Sequence, residues 1–106
     1  MTDKIKVVRP VGILDEIRAT QLRREVGEAV DSGATQLLIN LKEVTFVNSS
    51  GLSALVSALK TIRGIGGKLY LCSANDQVKL LFQLTRMDQV FQTFEDEEAV
   101  KKSIGV

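Results

Sequence analysis

The sequence predicts an α/β fold, a mostly parallel sheet of four strands alternating with helices. Three observations lead there. Four short segments rich in branched and aromatic residues, at 4–9, 36–41, 68–72 and 90–94, read as strands. Longer stretches between them carry apolar residues at helical spacing. The connections from strand to strand are too long for hairpins, so parallel pairing through crossover helices follows.

Taken in order, Lys4-Ile5-Lys6-Val7-Val8-Arg9 alternates and is closed by Pro10 and Gly12, which predicts a half-buried strand and then a turn. Asp15 is placed to cap a helix whose Ala19, Leu22, Val26, Ala29 and Val30 recur at helical spacing, with Gly33 as its stop. Gln36-Leu37-Leu38-Ile39-Asn40-Leu41 is nearly continuous in apolar residues, the pattern of a central strand covered on both faces. A link through Phe46-Val47 leads to Asn48-Ser49-Ser50, which opens a helix striped by Leu52, Leu55, Val56, Leu59 and Ile62 and ended by Gly64, Gly66 and Gly67.

The strand Lys68–Cys72 comes next. Ser73-x-x-Asp76 has the spacing of a capping box, before a helix carrying Val78, Leu81, Phe82 and Thr85 on one side. After the strand at 90–94, the last helix opens on Glu95-Asp96-Glu97-Glu98 and has Lys101-Lys102 near its end. That order complements the helix macrodipole, so this charge run reads as structural.

A chain of 106 residues that is 44% hydrophobic has the size of one domain, spanning residues 1–106, and buries a core without disulfides or metals. Lys and Arg total 14 against 13 Asp and Glu, so no basic field exists to hold a nucleic acid. With no histidine and a single cysteine, the common zinc sites and histidine-based nucleophile triads are excluded. No catalytic residue, metal or cofactor is therefore expected, and the chain reads as a non-enzyme. Cys72, inside an apolar run, reads as a small core residue. The N-terminus lacks the apolar region of a signal peptide and no stretch reaches the length of a membrane span, which predicts a cytoplasmic protein without a membrane partner.

In open α/β sheets the functional loops lie beyond the carboxyl ends of the strands. That rule gathers Leu14-Asp15, Asn48-Ser49-Ser50-Gly51 and Ser73-Ala74-Asn75 on one rim, as expected neighbours. The second segment opens a helix with two hydroxyls and a glycine. Either one serine is simply the N-cap, or the free N–H groups and positive dipole end there serve a phosphate. Asp15 likewise reads either as a cap or as a binding residue on the rim. Gly64-Ile65-Gly66-Gly67 follows a helix and precedes a strand, the reverse of a phosphate-cradling loop, and reads as a turn. A phosphoacceptor aspartate of the response-regulator kind fails, because no acidic pair follows the first strand and Asn40-Leu41-Lys42 offers no aspartate.

The run Leu41-Lys42-Glu43-Val44-Thr45-Phe46-Val47-Asn48-Ser49-Ser50-Gly51-Leu52 resembles the signature of STAS domains, specifically the stand-alone anti-sigma factor antagonists of bacterial partner-switching systems. Gly12-Ile13-Leu14-Asp15, Ile65-Gly66-Gly67-Lys68-Leu69 and Val78-Lys79-Leu80-Leu81-Phe82-Gln83-Leu84-Thr85 extend the resemblance over nearly the whole chain. It implies that Ser49 is phosphorylated by an anti-sigma factor that is itself a serine kinase, and that a metal-dependent serine phosphatase reverses this. It also implies that the unmodified protein binds the anti-sigma factor and frees its sigma factor. Asp15, Asn48, Ser50, Gly51 and Leu52 are then expected to shape the partner surface around Ser49.

Two departures from the family pattern stand out. Asn48 occupies the place of a usual aspartate, removing a negative charge beside the acceptor. Only Met1-Thr2-Asp3 precedes the first strand, where relatives commonly have another, so the domain reads as trimmed of an N-terminal edge strand. An open edge of that kind favours weak self-association. The competing expectation keeps the fold and makes the chain a non-catalytic accessory subunit of a lipid-transporting ABC system, with Ser49 only capping its helix.

Overall fold

In the computed structural model, which describes residues 5–105, the chain folds into six strands and four helices. The order is β1 (Ile5–Val8), β2 (Gly12–Leu14), α1 (Glu16–Asp31), β3 (Gln36–Asn40), β4 (Val44–Val47), α2 (Ser49–Gly64), β5 (Lys68–Cys72), α3 (Asp76–Leu84), β6 (Gln92–Phe94) and α4 (Glu97–Ile104). A short 3₁₀ turn, Met87–Gln89, joins α3 to β6. The main sheet has the order β1-β3-β5-β6, and each of its described pairings is parallel.

Side chains alternate across this sheet because successive residues of a strand point to opposite faces. Val8, Leu37, Ile39, Leu69 and Leu71 enter the larger core with Ala19, Leu22 and Val26 of α1, Leu55 and Ile62 of α2, and Val78 and Phe82 of α3. Leu38, Tyr70 and Cys72 face the other way and are covered by Val100 of α4, with Ile5, Val7, Phe94 and Ile104 around them. β3 is thus covered on both faces, as its nearly continuous apolar run predicts. Burial pushes the Cys72 thiol up from its ordinary range, which suits a core residue.

Three local readings are corrected. Gly12–Leu14 is not a turn, and Phe46-Val47 is more than a link: β2 and β4 pair in parallel as a second, two-stranded sheet. β1 leads into β2 through Arg9-Pro10-Val11, and β3 into β4 through Leu41-Lys42-Glu43. Ser73 does not cap α3. The cap is Asn75, whose Oδ1 accepts from the Val78 amide at 2.9 Å. Ser73 instead turns the chain with φ 62, and its hydroxyl donates to the Glu95 carbonyl. Finally, α4 is capped by Asp96, so the helix opens at Glu97, two residues later than its run of charges suggests.

Lys4 and the residues before it lie outside the described ones, and with them the expected trimming. Among the described residues β1 is an edge strand of the main sheet. Asp15 caps α1 as expected, its Oδ1 accepting from the Arg18 amide at 3.1 Å. The turn after α2 also forms as read. Gly66 takes φ +77, and a Cβ on Gly67 would lie 2.2 Å from the Thr35 carbonyl oxygen.

Candidate functional site

The candidate site is the junction where α1 and α2 leave the small sheet. β2 and β4 run side by side with Ile13 opposite Phe46 and Leu14 opposite Val47. Leu14 and Val47 are buried, so the alternate residues Ile13 and Phe46 face outward. Both helices start immediately beyond these strands. The Asn48 amide donates to the Leu14 carbonyl at 3.3 Å, stitching the start of α2 to the end of β2.

The cap of α2 is Asn48 and neither serine. Its Oδ1 accepts from the Gly51 amide at 3.0 Å, and its backbone is extended, as an N-cap requires. Ser49 becomes the first helical residue, exposed, and its hydroxyl has no hydrogen-bond partner among the described residues. The helix needs nothing from that oxygen. Ser50 is half-buried, and Leu52 packs partly against the core. Gly51 is buried for a steric reason: a Cβ there would sit 2.1 Å from the Leu14 carbonyl oxygen. Only a hydrogen side chain lets α2 approach β2 this closely.

Of the segments expected on one rim, Leu14-Asp15 and Asn48-Ser49-Ser50-Gly51 do meet. The third meets the opposite end of β4, where the Asn75 amide group donates to the carbonyls of Val44 and Thr45. A four-residue strand separates it from Ser49, on the order of 10 Å.

Sequence reasoning misses the apolar rim of the site. Ile13, Ile17 and Phe46 are 51%, 71% and 47% exposed, an unusual degree for large apolar side chains so close together in the fold. The outward alternation of Ile13 against Leu14 is the signal that exposes them, once Gly12–Leu14 is known to be a strand. Arg23 of α1 also reaches this helix pair, its Nη2 lying 3.5 Å from the Ser53 hydroxyl. Among the described residues no cluster of His, Cys, Asp and Glu suits a metal ion, and no helix is long and apolar enough to cross a membrane. What the site offers chemically is a hydroxyl beside exposed apolar surface, to which no carboxylate or other base is hydrogen-bonded among the described residues.

Comparison with known proteins agrees with this geometry. The family model of the STAS domain matches residues 1–100. The anti-sigma-B factor antagonist of Staphylococcus aureus is 26% identical over 96 residues, covering 91% of this chain and 89% of the relative. Among solved structures, the anti-sigma factor antagonist SpoIIAA in its unphosphorylated form superposes with a TM-score of 0.76 at 21% identity, covering 100% of this chain and 94% of that one. The Bacillus cell fate determinant SpoIIAA in its phosphorylated form gives a TM-score of 0.73 at 21% identity, covering 96% and 93%. With the family model spanning nearly its whole length, the chain belongs to the STAS domain family.

Proposed function

We propose that the chain is a non-catalytic anti-sigma factor antagonist of the cytoplasm, acting as one STAS domain over residues 1–106 and switched by phosphorylation of Ser49. The unmodified form binds an anti-sigma factor that is also a serine kinase. Phosphorylation ends that binding, and a metal-dependent serine phosphatase restores it. One observation carries the reading: the Ser49 hydroxyl is exposed and has no hydrogen-bond partner among the described residues, Asn48 having taken the cap, and Ile13, Ile17 and Phe46 stand exposed at the same junction. Apolar and aromatic groups of this kind form the water-excluding centre of protein interfaces. Names of relatives such as the anti-sigma-B factor antagonist favour this reading over a transporter accessory subunit.

Incubation with ATP and candidate kinases of the same organism, followed by mass mapping, should place the phosphate on Ser49. Ser49→Ala should bind the cognate kinase constitutively and Ser49→Asp weakly; unchanged affinity in both removes the switch. Asn48 and the usual aspartate both cap a helix, so Asn48→Asp should leave stability nearly unchanged. The added charge one residue from the acceptor should alter the phosphorylation and dephosphorylation rates, which a time course with the same kinase and phosphatase checks. The proposal extends to weak self-association, supported by the outer edge of β1, which no described residue pairs. Light scattering over a concentration series should show mass above the monomer.

A further inference from the structure

Arg23 lies on α1, exposed, and its one side-chain hydrogen bond among the described residues is the 3.5 Å approach of Nη2 to the Ser53 hydroxyl on α2. The neighbours that share its face of α1, at three and four residues either way, are Ala19, Thr20, Val26 and Gly27. None is a carboxylate, and no ion pair claims the guanidinium among the described residues. A full positive charge is thus held against a neutral hydroxyl, and the acidic residues that begin the same helix, Asp15 and Glu16, lie about two turns back, roughly 10–12 Å along the axis.

The direction of the side chain matters. Long side chains on a helix lean toward its N-terminus. α1 and α2 both start beyond the parallel strands β2 and β4, so that lean carries Arg23 toward the end where α2 opens. Ser53 is four residues after Ser49, which puts the two hydroxyls on one stripe, about 6 Å apart along the axis. A phosphoryl group on Ser49 covers part of that distance by itself, and the four-bond arm of the arginine covers the rest.

Resting on the reading of Ser49 as the phosphoacceptor, we propose that Arg23 is the internal counter-cation of phosphoserine 49. In the modified chain its guanidinium moves from the Ser53 hydroxyl to the phosphoryl oxygens, a planar donor fork that suits them. It offsets the repulsion from Asp15 and Glu16 and holds the group along α2. Arg23 is a positioning residue for the modified state. Its loss should leave the bare chain unaltered and make the phosphoserine more weakly ionised.

The test needs no cognate kinase. Phosphoserine is installed at position 49 during translation, and its second ionisation is followed by ³¹P NMR as a function of pH. That ionisation lies near pH 6 in a free phosphomonoester. A cation at hydrogen-bond distance should pull it down by a few tenths of a unit for a solvent-exposed pair. Arg23→Gln should raise the titration midpoint by that amount, Arg23→Lys should restore most of it, and Arg24→Gln should move it much less. About 1 M salt should shrink the Arg23 effect. Equal midpoints in the parent and Arg23→Gln chains overturn the assignment, as does an equal effect of Arg24→Gln. Failure of kinases to modify Ser49 would strike the proposed function while leaving this titration readable.

Discussion

At the scale of single residues, Gly51 decides how closely α2 can approach β2. Its missing Cβ would meet the Leu14 carbonyl oxygen at 2.1 Å, and that atom is backbone, which has little room to yield. Alanine is the better helix former by up to about 1 kcal/mol, yet the clash forces strands and helix apart. Gly51→Ala should therefore cost a net of roughly 1–2 kcal/mol. A lower urea midpoint with an unchanged slope is the expected measurement. The same contact explains why the sequence leaves the cap of α2 undecided. Asn48, Ser49 and Ser50 are all good cap residues, and their order along the chain does not choose among them. The docking of Gly51 under Leu14 sets where the first turn begins, and so leaves Asn48 on the cap and Ser49 facing out. A tertiary contact makes the choice, and it is invisible in local spacing.

At the scale of elements, strands long enough to show two periods were legible, as were helices with three or more buried turns. β2 and β4 were not. β2 has only three residues, and β4 runs buried, exposed, exposed, buried, which breaks the alternation that marks a strand. The cap of α3 was misassigned because Ser73 and Asn75 are both cap formers, and only the left-handed turn at Ser73 settles which begins the helix. α4 shows a different kind of element-level control. Glu97, its first residue, accepts from the Asn40 side-chain amide and from Nε and Nη2 of Arg9, joining the ends of β1 and β3 to the start of the helix. The Asn40 hydrogen bond, and after it the Arg9 contacts, hold the Glu97 carboxyl below the usual carboxylate range. A pKa depressed by folding means the charged form favours the fold. That contribution is complete above the ordinary value near pH 4.3 and is lost as pH falls through the lower folded value. The parent should exceed Glu97→Gln in stability at neutral pH, and the gap should narrow on acidification through that window. Urea melts at a series of pH values check this, and a gap that widens toward acid would contradict the sign.

At the scale of the whole molecule, the switch and the scaffold are separable. The core lies between the main sheet and its helices, whereas Ser49 is exposed at the tip of the small sheet and bonded to nothing described. Phosphate there adds about −1.5 to −2 charge at the start of a helix, where the dipole favours it, so the fold has no reason to yield. A partner seated over Ile13, Ile17 and Phe46 faces the opposite balance. It would have to strip water from the dianion, whose charge the single guanidinium of Arg23 offsets only in part, and the charge left over in an interface costs about 2–5 kcal/mol. Ser49-phosphorylated protein should therefore melt within a few degrees of the bare chain and bind its anti-sigma factor at least about 30-fold more weakly. Ser49→Asp carries one charge on a shorter arm and should fall between the two. Calorimetric titration of the partner into each form, beside thermal melts of the same samples, separates the outcomes. If the phosphorylated form loses binding only because it has unfolded, the melts will reveal it, and the idea of a local electrostatic switch on an unchanged scaffold will be wrong.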